Sequence, residues 1–495
     1  RKMKYKSSRG STEIKNAPQA IIKGIAEDKG LYVPESIPAL GIDPKELVGL
    51  NYREVAFLVM SRLLDDYTKE ELRYCIDHAY DEKFEAEDIV PVIPAGGAYF
   101  AELYHGKTAA FKDMALSILP YLLTTAMKKE KEEKKIAILT ATSGDTGKAA
   151  LEGFADVPDT EIIVFFPQEG VSQVQARQMT TQEGANTHVF GIEGNFDDAQ
   201  TGMKKIFSDD RIADLLAEKG YKLSSANSIN IGRLVPQVAY YVWSYVKLIE
   251  QKAVVSGDTI NVVVPTGNFG NILAAYYAKQ MGIPIGKFIC ASNQNKVLVD
   301  FINTGIYDIR RAFHVTNSPS MDILISSNLE RLLYHLSGDN GEVITGLMNA
   351  LEEEKCYTVD EKIKIGLADF YGGFATEEET LHSIADMWKS HGYLMDTHTA
   401  VGYKVSEDYR RKTGDTTPTV IASTASAYKF AESVAGALAL PAEIDEFAYL
   451  SGLHQKTGVR IPAGLKDLEE KEIRHRQVLK KDGLSEAVIE ALSRK

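Results

Sequence analysis

A lysine at the head of an apolar helical stretch is the first group in this sequence that invites chemistry. In His105-Gly106-Lys107-Thr108-Ala109-Ala110-Phe111-Lys112-Asp113, Lys112 is followed by turns rich in apolar residues (Met114, Ala115, Leu116, Ile118, Leu119). The positive end of a helix dipole disfavours an ammonium. A neutral amine, or one tied up as an imine, escapes that cost. An amine with a depressed pKa is also what imine chemistry requires. Most lysines are simply solvated, so the assignment depends on the company Lys112 keeps.

Three further segments supply that company. Val262-Val263-Val264-Pro265-Thr266-Gly267-Asn268-Phe269-Gly270-Asn271 reads as strand, glycine loop and helix start. Glycines let backbone N–H groups approach a ligand, and a helix N-terminus favours anions, so a phosphate site is the natural use. A plain glycine turn would read the same way in isolation. The dinucleotide pattern GxGxxG is missing, and the next strand runs into Ser292-Asn293 with no acidic residue to hold a ribose.

The segment Thr142-Ser143-Gly144-Asp145-Thr146-Gly147-Lys148-Ala149 superficially resembles a nucleotide-binding P-loop. It fails at Thr142, where the first glycine belongs, and at Ala149, where a magnesium-binding hydroxyl belongs. Its hydroxyls and backbone donors suit a small carboxylate, and an ordinary capped helix start suits them equally. In Ser225-Ala226-Asn227-Ser228-Ile229-Asn230-Ile231-Gly232-Arg233, Asn227, Ser228 and Asn230 can each cap a helix. Arg233 then falls in the first turn, where the dipole opposes a cation by about 0.3–1 kcal/mol. A bound anion reverses that sign, and arginine is well shaped for phosphate or carboxylate. Last, Val420-Ile421-Ala422-Ser423-Thr424-Ala425-Ser426 is a strand ending in a hydroxyl-rich turn. Ligands sit at such carboxyl ends in open α/β sheets, although a capped turn is again the simpler local reading. A lysine, a glycine loop and a late hydroxyl turn together fit pyridoxal phosphate, whose aldehyde, phosphate and ring nitrogen need one partner each.

The elements that must position these groups alternate. Strand patterns at 99–104, 136–139, 162–166, 187–192, 261–264, 288–291 and 418–422 are separated by helical patterns, among them 145–155, 171–181, 196–208, 230–250 and 271–281. This argues for α/β architecture with largely parallel sheets. Residues 12–88 are helix-rich, and prolines at 91 and 94 mark a boundary. A long helix over 111–133 is expected to kink at Pro120, and the charged tail from 443 reads as helical with no further strand.

The chain has 495 residues, 44% of them hydrophobic, with a formal net charge of −13. Nucleic acid and anionic membrane surfaces are therefore poor partners. No apolar run reaches the ~18 residues of a membrane span, and no apolar segment of a signal peptide follows the basic start. Three cysteines without metal-like spacing fit a reducing, cytoplasmic setting, and no metal site is expected.

On these motifs the sequence resembles the threonine synthases, pyridoxal-phosphate enzymes of fold-type II related to the tryptophan synthase beta chain. Tyr5-Lys6-Ser7-Ser8-Arg9-Gly10 and Asp28-Lys29-Gly30-Leu31-Tyr32-Val33-Pro34 look like the family's N-terminal signatures. Asp396-Thr397-His398-Thr399-Ala400-Val401-Gly402 also matches. Lys29, Lys107, Thr397 and Ala427 depart from the expected Gly, Pro, Pro and Pro. The resemblance implies two open, mostly parallel sheets flanked by helices. It implies a helix-rich N-terminal domain (1–95), a large cofactor domain (96–135 and 250–442), a small α/β domain (136–249) and a C-terminal helical extension (443–495). It further implies conversion of O-phospho-L-homoserine and water to L-threonine and phosphate, by a monomer or small homo-oligomer. The alternatives are a phospho-lyase releasing 2-oxobutyrate and a serine/threonine dehydratase. Lys112 would be catalytic and carry pyridoxal 5'-phosphate, Gly267 to Asn271 would hold the cofactor phosphate and Thr424 would meet the ring nitrogen. Substrate would be bound by His105, by Thr142, Ser143, Gly144, Asp145 and Thr146, and by Asn227, Ser228, Asn230 and Arg233.

Overall fold

The computed structural model describes residues 1–494. At the amino terminus, β1 (Tyr5–Ser7), β2 (Ile14–Lys15) and β3 (Tyr32–Pro34) form a small antiparallel sheet around α1 (Ala17–Lys23). Next come α2 (Tyr52–Leu63) and α3 (Lys69–Ala79). Each opens with a capping box, Asn51 with Glu54 and Thr68 with Glu71, so the first turns keep few unpaired donors. β4 (Val92–Ala95) and β5 (Ala98–Glu102) form a hairpin, and α4 (Asp113–Leu116) and α5 (Leu119–Lys129) follow. The helix expected over 111–133 is thus two helices. Pro120 lies in the first turn of α5, where its missing N–H costs nothing, so it starts a helix rather than kinking one.

The middle of the chain builds a five-stranded sheet. Its strands are β6 (Lys135–Ala141), β7 (Thr160–Pro167), β8 (Thr187–Ile192) and β9 (Tyr221–Ser224), with helices α6 (Asp145–Phe154), α7 (Gln173–Thr180), α8 (Phe196–Phe207) and α9 (Asp210–Glu218) between them. Every residue of β7 is buried, as expected for a parallel strand covered on both faces. The fifth strand comes from the far end of the chain.

Helix α10 (Ile231–Glu250) is buried over nearly all of its length, which is the state of a helix apolar on every side. It packs against α2 and α11 (Gly270–Gln280) rather than on the five-stranded sheet, so the long helix at the end of 136–249 belongs to the larger core. Tyr52 and Trp243 meet edge to face at 5.4 Å, and the Trp243 indole N–H donates to the Val90 carbonyl at 2.7 Å.

β10 (Ile260–Pro265) and β11 (Ile285–Ser292) continue the chain, and β12 (Ile306–Asp308) pairs with β13 (Cys356–Thr358) as a separate ribbon. With β14 (Phe370–Phe374) and β15 (Thr419–Ser423), the larger sheet has the order β14-β11-β10-β15-β5-β4. All neighbours are parallel except β4, an antiparallel edge strand contributed by residues before position 96. β14 is an edge strand carrying two adjacent glycines, which weaken any strand signal.

The tail is not only helical. Glu446–Thr457 joins the large-sheet side of the molecule, while β16 (Val478–Leu479) adds to β8 in parallel and completes the order β16-β8-β7-β6-β9. The final helix, Leu484–Ser493, lies on α8 and α9. Two residues are too few to show a strand period. Residues 458–477 therefore run from one sheet's core to the other's.

Helix α6 approaches α4 closely at one glycine. A Cβ at Gly153 would stand 2.1 Å from the Leu116 carbonyl oxygen, a backbone atom that cannot swing away. Gly153→Ala should cost about 1–3 kcal/mol through overpacking. At Gly436 an added Cβ meets nothing within 4 Å, and Gly436→Ala should gain about 0.5–1 kcal/mol. Thermal melts of the two variants should move in opposite directions, and equal melting temperatures would contradict the packing described.

Candidate active site

Parallel strands β5, β10 and β15 are neighbours, so the segments that leave their carboxyl ends converge on one edge of the sheet. The lysine segment and the hydroxyl turn are zipped together there. Leu103 N–H donates to Ser423 O at 3.0 Å, Phe111 N–H to Thr424 O at 2.8 Å, and Ser426 N–H to Ala109 O at 3.0 Å. Ala109 takes a left-handed conformation, φ 60°. Asp113 fastens the turn by accepting from the Thr108 N–H at 2.9 Å and the Thr108 hydroxyl at 2.7 Å. Burial pushes the Asp113 carboxyl up to about 6 against those bonds.

Lys112 sits between these fastenings, immediately before α4. Its side chain keeps part of its surface open. Burial nevertheless pulls the amine down to about 8, with Asp145 opposing and Arg233 and Lys429 adding to the fall. The expected depressed amine is present, and three charged residues from three other segments act on it.

The glycine loop has the form of a cradle. A Cβ on Gly267 would lie 2.4 Å from the Ser320 carbonyl oxygen. Ser326 donates to Gly267 O at 2.6 Å, and Asn328 N–H to Asn268 O at 2.8 Å. Phe269 is left-handed, φ 74°, and α11 begins at Gly270. Asn271 is buried, and its Oδ1 accepts from Tyr240 at 2.6 Å and from Tyr241. That leaves Asn271 Nδ2 as a buried donor without a partner. An unpaired buried donor beside free helix N–H groups fits a phosphate. Thr424 is buried at the end of β15, next to the turn that holds Lys112.

Arg233 is 4% exposed, in the first turn of α10. One guanidinium N–H reaches Ala226 O at 2.9 Å, while Nε has no partner and no carboxylate pairs with the group. Burial pulls it down to about 10, so it stays cationic at neutral pH. The Asn230 Oδ1 caps α10 through Gly232 N–H at 2.8 Å and its amide donates to Ile21 O at 3.0 Å, so both ends of its side chain have partners within the fold. Asn227 is exposed, and Ser228 gives its carbonyl to Asn328. His105 is turned onto Glu102 at 3.0 Å, and Glu102 also accepts from Tyr393 at 2.6 Å.

In the turn after β6, the Thr142 hydroxyl accepts from Gly144 and Gly147 N–H, both at 2.9 Å, and so shapes the loop. Ser143 is exposed and Thr146 half-buried. Asp145 forms an ion pair with Lys429 at 2.9 Å, and Lys429 also donates to Gln178 at 3.0 Å. The sequence reading gave Lys429 no role, although it stands in the same motif as Thr424. It also gave none to His398, whose ring bonds Asp396 at 2.9 Å and accepts from Ser320 N–H at 3.1 Å. His398 thereby braces the segment that closes over Gly267. No group of three His, Cys, Asp or Glu side chains is placed to hold a metal among the described residues. Likewise, no helix is long and apolar enough to cross a membrane.

Comparison with known proteins gives three family matches. Residues 4–80 match the threonine synthase N terminus, 94–424 the pyridoxal-phosphate dependent enzymes and 399–489 the threonine synthase C-terminal region. Threonine synthase-like 1 of Homo sapiens is 42% identical over 441 residues, 86% of this chain, and the chain spans only 58% of that relative. Threonine synthase of Pseudomonas aeruginosa is 37% identical over 451 residues, covering 89% of this chain and 93% of the relative. A crystal structure of pyridoxal-phosphate-bound threonine synthase from Brucella melitensis superimposes with a TM-score of 0.88 at 35% identity, covering both chains in full. On these matches, this chain belongs to the threonine synthase family of pyridoxal-phosphate-dependent enzymes.

Proposed function

We propose that this chain converts O-phospho-L-homoserine and water to L-threonine and inorganic phosphate. The observation that carries the reading is Arg233, a buried guanidinium with an unpaired Nε, acting on Lys112 from outside the glycine loop. A substrate with its own phosphate needs a second anion site beside the cofactor's. The net charge of −13 and the absence of a basic surface motif argue against nucleic acid. Three free cysteines agree with a cytoplasmic setting.

Lys112 would carry pyridoxal 5'-phosphate, with the Gly267 to Asn271 backbone and the Asn271 amide on its phosphate and Thr424 at its ring nitrogen. When bound, that group supplies an aldehyde for the substrate amine and a conjugated ring that draws electrons from Cα and Cβ. An amine at about 8 is divided between its two forms near neutral pH. Once free, Lys112 can therefore take the protons from Cα and Cβ in turn and return them later. The turn from Thr142 to Thr146 would hold the substrate carboxylate, with Ser143 and Thr146 free to donate. Arg233 would hold the γ-phosphate, with Asn227, Ser228 and His105 as lesser contacts. As the Cγ–O bond breaks, its electron pair leaves with phosphate, and a fixed guanidinium stabilises that charge. Water then delivers hydroxyl to Cβ, and protons returned to Cγ and Cα complete threonine.

Two predictions follow from this division of labour. Product analysis of the cofactor-loaded chain with O-phospho-L-homoserine should give equal amounts of threonine and phosphate. Phosphate accompanied by 2-oxobutyrate instead would replace the reading with the lyase, and no phosphate release would end it. The two phosphate sites should also separate by mutation. Arg233→Gln should lower kcat/KM roughly ten- to a hundredfold, as expected for one charged contact, with cofactor content unchanged. Gly267→Ala, which drives a Cβ into the Ser320 carbonyl, should instead lose cofactor. Cofactor loss in the Arg233 variant would contradict the assignment.

A further inference from the structure

The turn assigned to the substrate carboxylate contains a carboxylate of its own. Burial alone would push Asp145 up, but Lys429 and Lys112 hold it ionised, down to about 2. Asp145 opens α6 and its side chain is 7% exposed. An unpaired anion there would repel an incoming α-carboxylate, and low solvent access would leave that repulsion poorly screened.

Lys429 answers the charge from the opposite sheet. It follows the Thr424 turn, and its side chain is 1% exposed. It reaches Asp145 Oδ1 at 2.9 Å and Gln178 Oε1 at 3.0 Å. Gln175 also donates to Asp145 Oδ1, at 3.3 Å. Asp145, Gln175 and Gln178 all come from α6 and α7 on the five-stranded sheet, so a single lysine from the larger sheet is gripped by the other side of the cleft. A buried ion pair is a poor stability device, because desolvating both ions offsets most of their attraction. Its place beside Lys112, spanning the cleft, calls for another explanation.

We propose that Lys429 sets the site's specificity for amino acids with a free carboxylate, by neutralising Asp145, the anion that would otherwise repel the substrate carboxylate where it docks. The inference rests on the proposed placement of that carboxylate at residues 142–146. Asp145 in turn keeps Lys429 from adding an uncompensated cation next to the reactive amine. The trio of Lys112, Asp145 and Lys429 is balanced when the Lys112 amine is neutral. Lys429 is thus a specificity-determining partner of the turn rather than a proton-transfer group.

The test titrates the cofactor-loaded chain with L-norvaline and with L-norvalinamide, following the cofactor's visible absorption. These probes share a side chain and differ at the carboxyl end, charged in one and neutral in the other; each is compared between variant and parent, and neither requires turnover. Lys429→Met should weaken L-norvaline at least tenfold and leave L-norvalinamide within about threefold, as expected when a poorly screened anion is left facing an incoming carboxylate. Asp145→Asn/Lys429→Met, which removes both charges, should recover most of the norvaline affinity. Equal weakening of both probes, or a double variant no better than Lys429→Met, would reduce the pair to a structural bridge and overturn the proposal. Should Lys429→Met fail to retain cofactor, Asp145→Asn alone decides. It should bind norvaline as tightly as the parent or more tightly, and a tenfold loss would overturn the proposal. A parent chain inert toward O-phospho-L-homoserine would strike the proposed reaction, while the norvaline titrations would still judge Lys429.

Discussion

A lysine amine that must bond to an aldehyde and later move protons cannot stay fully protonated at neutral pH. Burial is the largest influence lowering the Lys112 amine, and two cations, Arg233 and Lys429, lower it further. One carboxylate, Asp145, limits the fall. The two cations stand differently toward that carboxylate. Lys429 is bound to it, whereas Arg233 has only a backbone carbonyl and an unpaired Nε. The site thus holds one neutralised charge pair and one cation without a carboxylate partner among the described residues.

The fold serves this balance by bringing distant segments to one sheet edge. β5, β15 and β10 lie side by side and parallel, so residues 112, 424 and 267 leave the sheet in the same direction. The bridge between Ala110 and Ala425 fixes the spacing between lysine and hydroxyl turn. The close contact of Gly153 with Leu116 sets α6, and with it Asp145, against the helix that follows Lys112. Farther out, the Asp396–His398 pair fixes Ser320, which closes on Gly267. The tail adds a strand to the smaller sheet after crossing from the larger one, tying the two walls of the cleft together.

Much of this was legible in the sequence where periodicity and special residues coincide. The apolar runs of β6, β7 and β10 are buried strands, and the lysine, glycine and hydroxyl segments do converge. Short or glycine-containing strands escaped. β16 has two residues, and the adjacent glycines of β14 carry no strand propensity. Pro120 misled because its effect depends on whether it lies inside a helix or in its first turn, which local sequence does not state. Asn230 is ambiguous in sequence because capping and ligand binding use the same side-chain atoms, and its contact with Ile21 is a tertiary one that no local pattern announces. Lys429 and His398 were missed for the converse reason. Their partners, Asp145 and Ser320, lie hundreds or scores of residues away, so no local pattern marks them as paired.

Lys112, rather than Lys148 or Lys429, is the amine proposed to react. Lys148 and Lys429 are more enclosed than Lys112, and each is committed to a carboxylate, Glu152 and Asp145 respectively. Borohydride reduction of the cofactor-loaded chain, followed by peptide mapping by mass spectrometry, tests that claim directly. The account predicts that the pyridoxyl label is found on the peptide containing Lys112. Label on Lys429 or Lys148, with Lys112 unmodified, would contradict it.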